Sequence, residues 1–296
     1  MKILITGGSG FIGNRLRKRL PEHTLLCPTR TDLRLCDATH VKTWMSQHQP
    51  ECIIHLAADP NPKPDPEWPE NIINNNVLIT QLLCHYAPPD CRFIFASSVV
   101  VYGDTPYPFD EQQRCSPKTV YGATKLASEA IVNAYTQQQK IRGVSLRLCS
   151  TVGAGLTHGM LHDFIRKVQL DTKELEVFGD CPGSHKPAIY IKDVIKTIQF
   201  MIDNPYYTRP INVTSQGVVS VEWVAKTVMK MYDVHKPIKW LGSGSVWKGD
   251  DHLLQVSPSQ LCNLGLNLKS VDSNSAIILA IMEIQRSHNI HKRGLS

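Results

Sequence analysis

Tyr121 and Lys125 stand four residues apart in the segment Tyr121-Gly-Ala-Thr-Lys125. On a helix that spacing puts both side chains on one face, about 5 to 6 Å apart at Cβ. A free phenol has a pKa of about 10 and is a poor base at neutral pH, but an adjacent ammonium favours the phenolate. Tyr121 could then exchange a proton with a substrate hydroxyl. Because a Tyr-x-x-x-Lys pair is a common coincidence on helix surfaces, its companions matter. The run Phe93-Ile-Phe-Ala-Ser97-Ser98-Val-Val-Val-Tyr102-Gly103-Asp104 reads as an apolar strand ending in two hydroxyls. The carboxyl ends of strands are where open α/β sheets bind ligands.

A second constellation is Thr6-Gly7-Gly8-Ser9-Gly10-Phe11-Ile12-Gly13, which follows one apolar run and opens a helical pattern. Gly7 permits a tight turn, Gly10 lets the backbone approach a pyrophosphate, and Gly13 lets helix and strand pack closely. Helix N-terminal amides then face the phosphates. In this context the glycines point to a dinucleotide. A positive nicotinamide ring would add to the Lys125 charge in favouring the phenolate, and hydride would move while Tyr121 handles the proton. After the second strand, an acid binds a ribose 2′-OH and an arginine accommodates a 2′-phosphate. The segment Cys27-Pro28-Thr29-Arg30-Thr31-Asp32 offers both. Arg30 lies closer to the expected place, which favours NADP over NAD; a solvated loop cation is the other reading of Arg30.

The elements that must position these residues follow from periodicity. Strands are expected at Lys2 to Thr6, Thr24 to Cys27, Cys52 to Leu56, Arg92 to Ser97 and Val144 to Leu148. Helices are expected at Gly10 to Leu20, about Thr39 to His48, about Glu70 to Tyr86 and about Lys118 to Tyr135. That alternation predicts an α/β protein, a Rossmann-type doubly wound parallel sheet. The dinucleotide-binding domain is expected over residues 1–152, with a return at about 188–214. A smaller C-terminal α/β substrate lobe is expected over 153–296, where Gly/Pro-rich loops separate shorter elements. Pro60 to Pro69, with five prolines, reads as an extended loop.

Composition excludes more than it assigns. At 296 residues, 42% hydrophobic and 20% charged, the chain is neither disordered nor fibrous. No window approaches the roughly 18 uncharged apolar residues of a membrane span. The apolar run after Met1 and Lys2 stops at Thr6-Gly7, too short for a secretory signal. Nine scattered cysteines with no Cys-x-x-Cys pair indicate neither a disulfide framework nor a zinc site, so a reducing, cytoplasmic compartment is expected. His158 and His162 lack a nearby carboxylate motif, and no metal is expected. The net charge of +6 does not by itself choose between a nucleic acid and an anionic small ligand.

The glycine turn, His55-Leu56-Ala57-Ala58, the strand ending in Ser98 and Tyr102-Gly103-Asp104, and the Tyr121-Lys125 pair together resemble the extended short-chain dehydrogenase/reductase family. Within it, the nucleotide-sugar epimerases, dehydratases and reductases are the most similar. Glu176-Val-Phe-Gly179-Asp180, Lys186 to Asp193, and Trp247-Lys248-Gly249-Asp250 extend the likeness over nearly the whole chain. The resemblance implies that Tyr121 is the acid/base, that Lys125 holds the nicotinamide ribose, and that Ser98 hydrogen-bonds the reacting oxygen. Ser97 would point to the other strand face. It also implies cofactor contacts from Gly7, Gly10, Phe11, Ile12 and Gly13, from Leu56, Ala57 and Ala58, and from Asp37, Ala38 and Asn76. For Asp37 a helix N-cap is the alternative, and for Asn76 a polar helix position. A homodimer through the Glu70 to Tyr86 and Lys118 to Tyr135 helices is a further implication.

Departures from the family narrow the chemistry. Lys186 and Lys248 stand where arginines usually hold the substrate diphosphate, and lysine offers only a point charge; ordinary solvated lysines are the alternative. Val99 and Val100 replace the Asp-Glu pair of dehydratases, and no thiol follows Ser98 as double epimerisation would need. Cys149 reads as a small buried hydrophobe. Two reactions remain for a nucleoside-diphosphate sugar: 4-epimerisation, and NADPH-dependent reduction of a 4-keto sugar, which Arg30 suits. A non-catalytic NADP-binding sensor is a third reading, but such proteins typically lack the Tyr-Lys pair. Arg30, Lys186 and Lys248 give the positive charge an owner, so neither a nucleic acid nor a membrane partner is needed.

Overall fold

The computed structural model describes residues 1–60, 70–103, 105–242 and 253–293. The first half runs β1 (Lys2–Thr6), α1 (Phe11–Arg17), β2 (Thr24–Leu26), α2 (Ala38–His48) and β3 (Cys52–His55). A helical stretch follows in three pieces: α3 (Glu70–Ile73), a π-helical turn (Asn74–Leu78) and α4 (Ile79–Tyr86). Next come β4 (Cys91–Ser98), a 3-10 turn (Val99–Val101), α5 (Val120–Gln137) and β5 (Ile141–Leu148). The remaining elements are shorter: β6 (Ser150–Val152), α6 (Met160–Val168), β7 (Leu175–Val177), β8 (His185–Lys186), β9 (Ala188–Tyr190), α7 (Ile191–Asp203), β10 (Ile211–Val213), β11 (Val219–Ser220), α8 (Val221–Met231), β12 (Ile238–Trp240), α9 (Ser259–Asn263) and α10 (Ser273–Arg293).

The long strands are near-continuous apolar runs because both faces of their sheet are covered. Leu4, Ile53, Phe93 and Phe95 pack on one face against Val41 and Met45 of α2, Leu83 of α4 and Val132 of α5. Alternate residues Ile3, Ile5, Ile54 and Ile94 are equally buried on the opposite face. The sheet is parallel with order β10-β5-β4-β3-β1-β2. The chain moves outward from β1 to β2 and then back to β3, so the order reverses at β1 and β3. Beyond the carboxyl ends of strands at such a reversal, open sheets form their ligand crevice.

Two compact units partition the chain. The first comprises Met1–Pro106, Asp110–Leu148 and Ile195–Val213; the second comprises Tyr107–Phe109, Cys149–Val194 and Thr214–Ser296. The second unit contains the two-stranded pairs β6-β9, β7-β12 and β8-β11. Within it, the buried Asp193 carboxylate accepts hydrogen bonds from Lys269 N (2.6 Å), Ser270 N (2.7 Å) and Ser270 Oγ (2.5 Å). This ties the start of α7 to the segment leading into α10.

Two local features depart from the periodicity. The expected Glu70 to Tyr86 helix carries the π-helical turn, an inserted residue that a 3.6 period does not announce. Within the return expected at about 188–214, β9 pairs with β6; β10 is the segment that joins the large sheet as its sixth strand. Of the proline-rich loop, residues 61–69 lie outside the described residues, as does Asp104. Among the described residues, no helix is long and apolar enough to cross a membrane.

Candidate active site

β1 delivers its carboxyl end into the glycine turn. Gly7 has φ +70°, the left-handed region that glycine enters without strain, and a Cβ there would stand 2.8 Å from Ala57 N. A Cβ on Gly13 would meet Gly7 O at 2.3 Å, which explains why α1 packs so closely on the turn. At Gly10, among the described residues, such a Cβ would have Gly7 O at 3.2 Å as its one neighbour, so this side of the turn is open. Gly10 is also the N-cap of α1 and offers no capping side chain, and the first-turn amides, including Phe11 and Ile12, have no intrahelical acceptor. A pyrophosphate fits this cradle, because its oxygens would accept from those amides.

Ser98 closes β4 and caps the 3-10 turn, accepting from Val100 N at 3.4 Å. Tyr121 is in the first turn of α5, whose N-cap Thr119 accepts from Gly122 N at 3.0 Å. Burial pushes the Tyr121 phenol up to about 12; a hydrogen bond with Ser98 pulls the other way, and the Asp59 charge raises it further. Lys125, only 4% exposed, donates to Ala96 O at 2.8 Å and stands 4.9 Å from the Phe95 ring centre and 5.8 Å from that of Tyr121. Burial lowers its pKa to about 8, with Glu129 opposing the shift. The structure therefore gathers Ser98, Tyr121 and Lys125 at the carboxyl end of β4.

A polar chain beneath these residues joins the strands to the helices. Asn76 in the π-helical turn is 2% exposed: its Oδ1 accepts from Asp59 N (2.8 Å), and its Nδ2 donates to Asp59 O (3.2 Å) and Thr124 Oγ1 (3.0 Å). Its amide is thus occupied in tying the Leu56-Ala57-Ala58-Asp59 segment to the residue beside Lys125. His55 is hydrogen-bonded with Thr6 Oγ1 (2.8 Å) and Thr80 Oγ1 (3.1 Å). Burial, followed by the Lys125 charge, drops the His55 pKa to about 3, so it is neutral.

At the β2 edge, Asp32 accepts from Thr29 N (2.9 Å) and Thr29 Oγ1 (2.7 Å), and these hydrogen bonds lower its pKa. Its carboxylate closes its own turn, and Arg30 is exposed beside it. Asp37 N-caps α2 through His40 N (3.0 Å) and pairs with Arg34 at 3.1 Å; Ala38 follows, exposed, as the first residue of α2. Lys186 is in β8 of the second unit, opposite Val219. Lys248 lies outside the described residues. Cys149 is 6% exposed, and burial pushes its thiol up to about 12. Among the described residues, no three His, Cys, Asp or Glu side chains are grouped to hold a metal.

Several residues around the site escaped sequence reasoning: Thr124, Thr80, Glu129, Arg147 and Asn212. Two of them carried a signal. Glu129 repeats the four-residue step from Tyr121 and Lys125 and so falls on their buried helix face, and Arg147 interrupts an apolar strand.

Residues 3–214, from β1 to just past β10, match one protein family, the NAD dependent epimerase/dehydratase family. The chain belongs to this family. Among relatives, it is 28% identical over 240 residues to an uncharacterized UDP-glucose epimerase of Bacillus subtilis, covering 70% of this chain and 74% of that protein. The fold resembles that of a UDP-glucose 4-epimerase of Thermus thermophilus in complex with NAD (TM-score 0.81, 22% identity, 96% of this chain and 99% of the other). It also resembles a dTDP-4-dehydrorhamnose reductase of Bacillus anthracis in complex with NADP (TM-score 0.79, 19% identity, 95% and 99%). Both epimerases and reductases of nucleotide sugars thus appear among the epimerase/dehydratase proteins that this chain is similar to.

Proposed function

We propose that the protein is a nucleotide-sugar 4-epimerase that works by reversible hydride transfer at C4. The observation that carries this reading is the Ser98-Tyr121 hydrogen bond beside the buried Lys125 ammonium. Gly7, Gly10, Gly13 and the first-turn amides of α1 would hold the pyrophosphate of NAD or NADP, and Leu56, Ala57 and Ala58 would line it. Bound nicotinamide supplies a hydride acceptor and donor. Ser98 orients the sugar 4-oxygen, Tyr121 takes and returns its proton, and Lys125 stabilises the phenolate through its charge. Lys186 and Lys248 would attract the substrate diphosphate.

One observation favours a second reading, an NADPH-dependent 4-keto-sugar reductase. With Asp32 closing its own turn, the exposed Arg30 is the group available to a 2′-phosphate. We also propose a homodimer through the helical stretch from α3 to α4 (residues 70–86) and through α5, supported by the exposed apolar residues Ile73 of α3 and Val120 of α5, each 47% exposed. Purified protein that retains nicotinamide and interconverts UDP-sugars without added cofactor supports the epimerase. Oxidation of added NADPH by a 4-keto sugar nucleotide supports the reductase. Tyr121→Phe is expected to lower either turnover by about 10²- to 10⁴-fold; unchanged turnover would refute both.

A further inference from the structure

We infer that Glu129, which bonds to Ser97 and Arg147 beneath the site, is a positioning residue that fixes the strand end carrying Ser98 against the helix carrying Tyr121 and Lys125. This rests on the reading of Ser98, Tyr121 and Lys125 as the reacting constellation.

The geometry is closed at both flanks of Ser98. On one side, Ser97 Oγ donates to Glu129 Oε1 at 2.5 Å. On the other, Arg147 Nη1 donates to Tyr102 OH at 2.9 Å, just past the 3-10 turn, and Tyr102 OH donates to Asn212 Oδ1 on β10 at 2.8 Å. The guanidinium also stacks 4.8 Å from the Tyr102 ring centre. Between the flanks, Arg147 and Glu129 form a two-pronged pair, Nη2 to Oε2 at 2.8 Å and Nε to Oε1 at 3.1 Å, with each side chain 6% exposed. Ser98 and its turn are therefore held at both ends by one ion pair, whose carboxylate belongs to the Tyr121 helix.

Such a clamp is stiff for a physical reason. A buried carboxylate and guanidinium that saturate each other in planar geometry have no low-energy alternative arrangement, so the elements bearing them move together. Burial alone would lower the Arg147 pKa, but hydrogen bonding and charge from Glu129 outweigh it and raise it. The same carboxylate supports the Lys125 charge from four residues along α5. Among the described residues, the other ionisable groups near these include His55, which is neutral, the Tyr121 phenol with Asp59 acting on it, the raised Cys115 thiol and Glu111, which accepts from Asn212 N at 2.8 Å.

The test compares Ser97→Ala, Ser97→Thr and Glu129→Gln with the parent, each checked for folding by circular dichroism and thermal melting. Ser97→Ala removes the tether while leaving Glu129 paired with Arg147, so the fold is expected to survive. Its kcat on a sugar-nucleotide panel should fall about tenfold, since small misplacements of reacting groups are costly. KM and nicotinamide affinity, read by fluorescence, should stay within about twofold, and Ser97→Thr should restore kcat. Glu129→Gln should move the alkaline limb of the kcat profile to lower pH, because Lys125 loses the charge that supports its proton. A folded Ser97→Ala with parental kcat, or a Glu129→Gln with an unmoved limb, overturns the inference. If the parent turns over nothing in the panel, the functional reading fails instead. The inference then stands or falls on the 13Cζ resonance of Tyr121, assigned by its loss in Tyr121→Phe: a shift in Ser97→Ala supports the clamp, and an unmoved line overturns it.

Discussion

The Lys125 ammonium stands 5.8 Å from the centre of the Tyr121 ring, one helical turn away, and donates its proton to the Ala96 carbonyl oxygen instead of the phenol. Its hydrogen bond is thus spent on the strand, and its own protonation depends on how deeply α5 buries it.

Stability should reveal that burial. With a folded-state pKa of about 8, against an ordinary value of 10.5, Lys125 is charged and desolvated below pH 8 at a cost to the fold. Between pH 8 and about 10.5 the unfolded chain keeps the proton that the folded one has shed, so the cost fades as pH rises. Lys125→Met should be more stable than the parent at pH 7, and urea melts should find that advantage shrinking at pH 9.5. An advantage that grows with pH contradicts the burial argument.

His55 offers the opposite window. Its folded pKa of about 3 lies below the ordinary 6.5, so the neutral ring contributes stability that is complete above pH 6.5 and lost as pH falls towards 3. Thermal melts of the parent and His55→Gln should converge between pH 6.5 and pH 4. Parallel curves across that range would mean that His55 takes up a proton in the folded state.

The glycines of the first turn should separate folding from cofactor binding. Gly13→Ala forces a Cβ to 2.3 Å from Gly7 O and should cost about 1–3 kcal/mol of stability. Among the described residues Gly10→Ala meets one atom, at 3.2 Å, with φ at −71°, so it should melt near the parent temperature. Its methyl would occupy the open side of the cradle, and nicotinamide titration should show weakened binding. Equal melting losses for the two variants would contradict this division.

Arg30→Ala should weaken NADPH by about 10- to 100-fold, the loss of a charge-assisted contact of roughly 1.5–3 kcal/mol. NADH affinity should stay within about twofold. Fluorescence titrations with both nucleotides decide this, and an equal loss for both would remove Arg30 from the 2′-phosphate.

Local periodicity and glycine spacing made the first five strands of the sheet, the Gly7-Gly10-Gly13 turn and the shared helix face of Tyr121 and Lys125 legible in the sequence, while Ser98 joined them only through the resemblance of the combined motifs to a known family. The first three depend on residues close in the chain: alternating apolar runs make strands, a four-residue step shares a helix face, and a missing Cβ permits a tight turn. Tertiary structure alone decided where long-range partners go. Glu129 found Ser97 and Arg147 across 32 and 18 residues, Asn76 took up Asp59 and Thr124 across 17 and 48, and His55 met Thr6 across 49. Pairings over such separations are set by strand order and helix packing, and buried polar groups then bond with whatever partner the fold brings within reach.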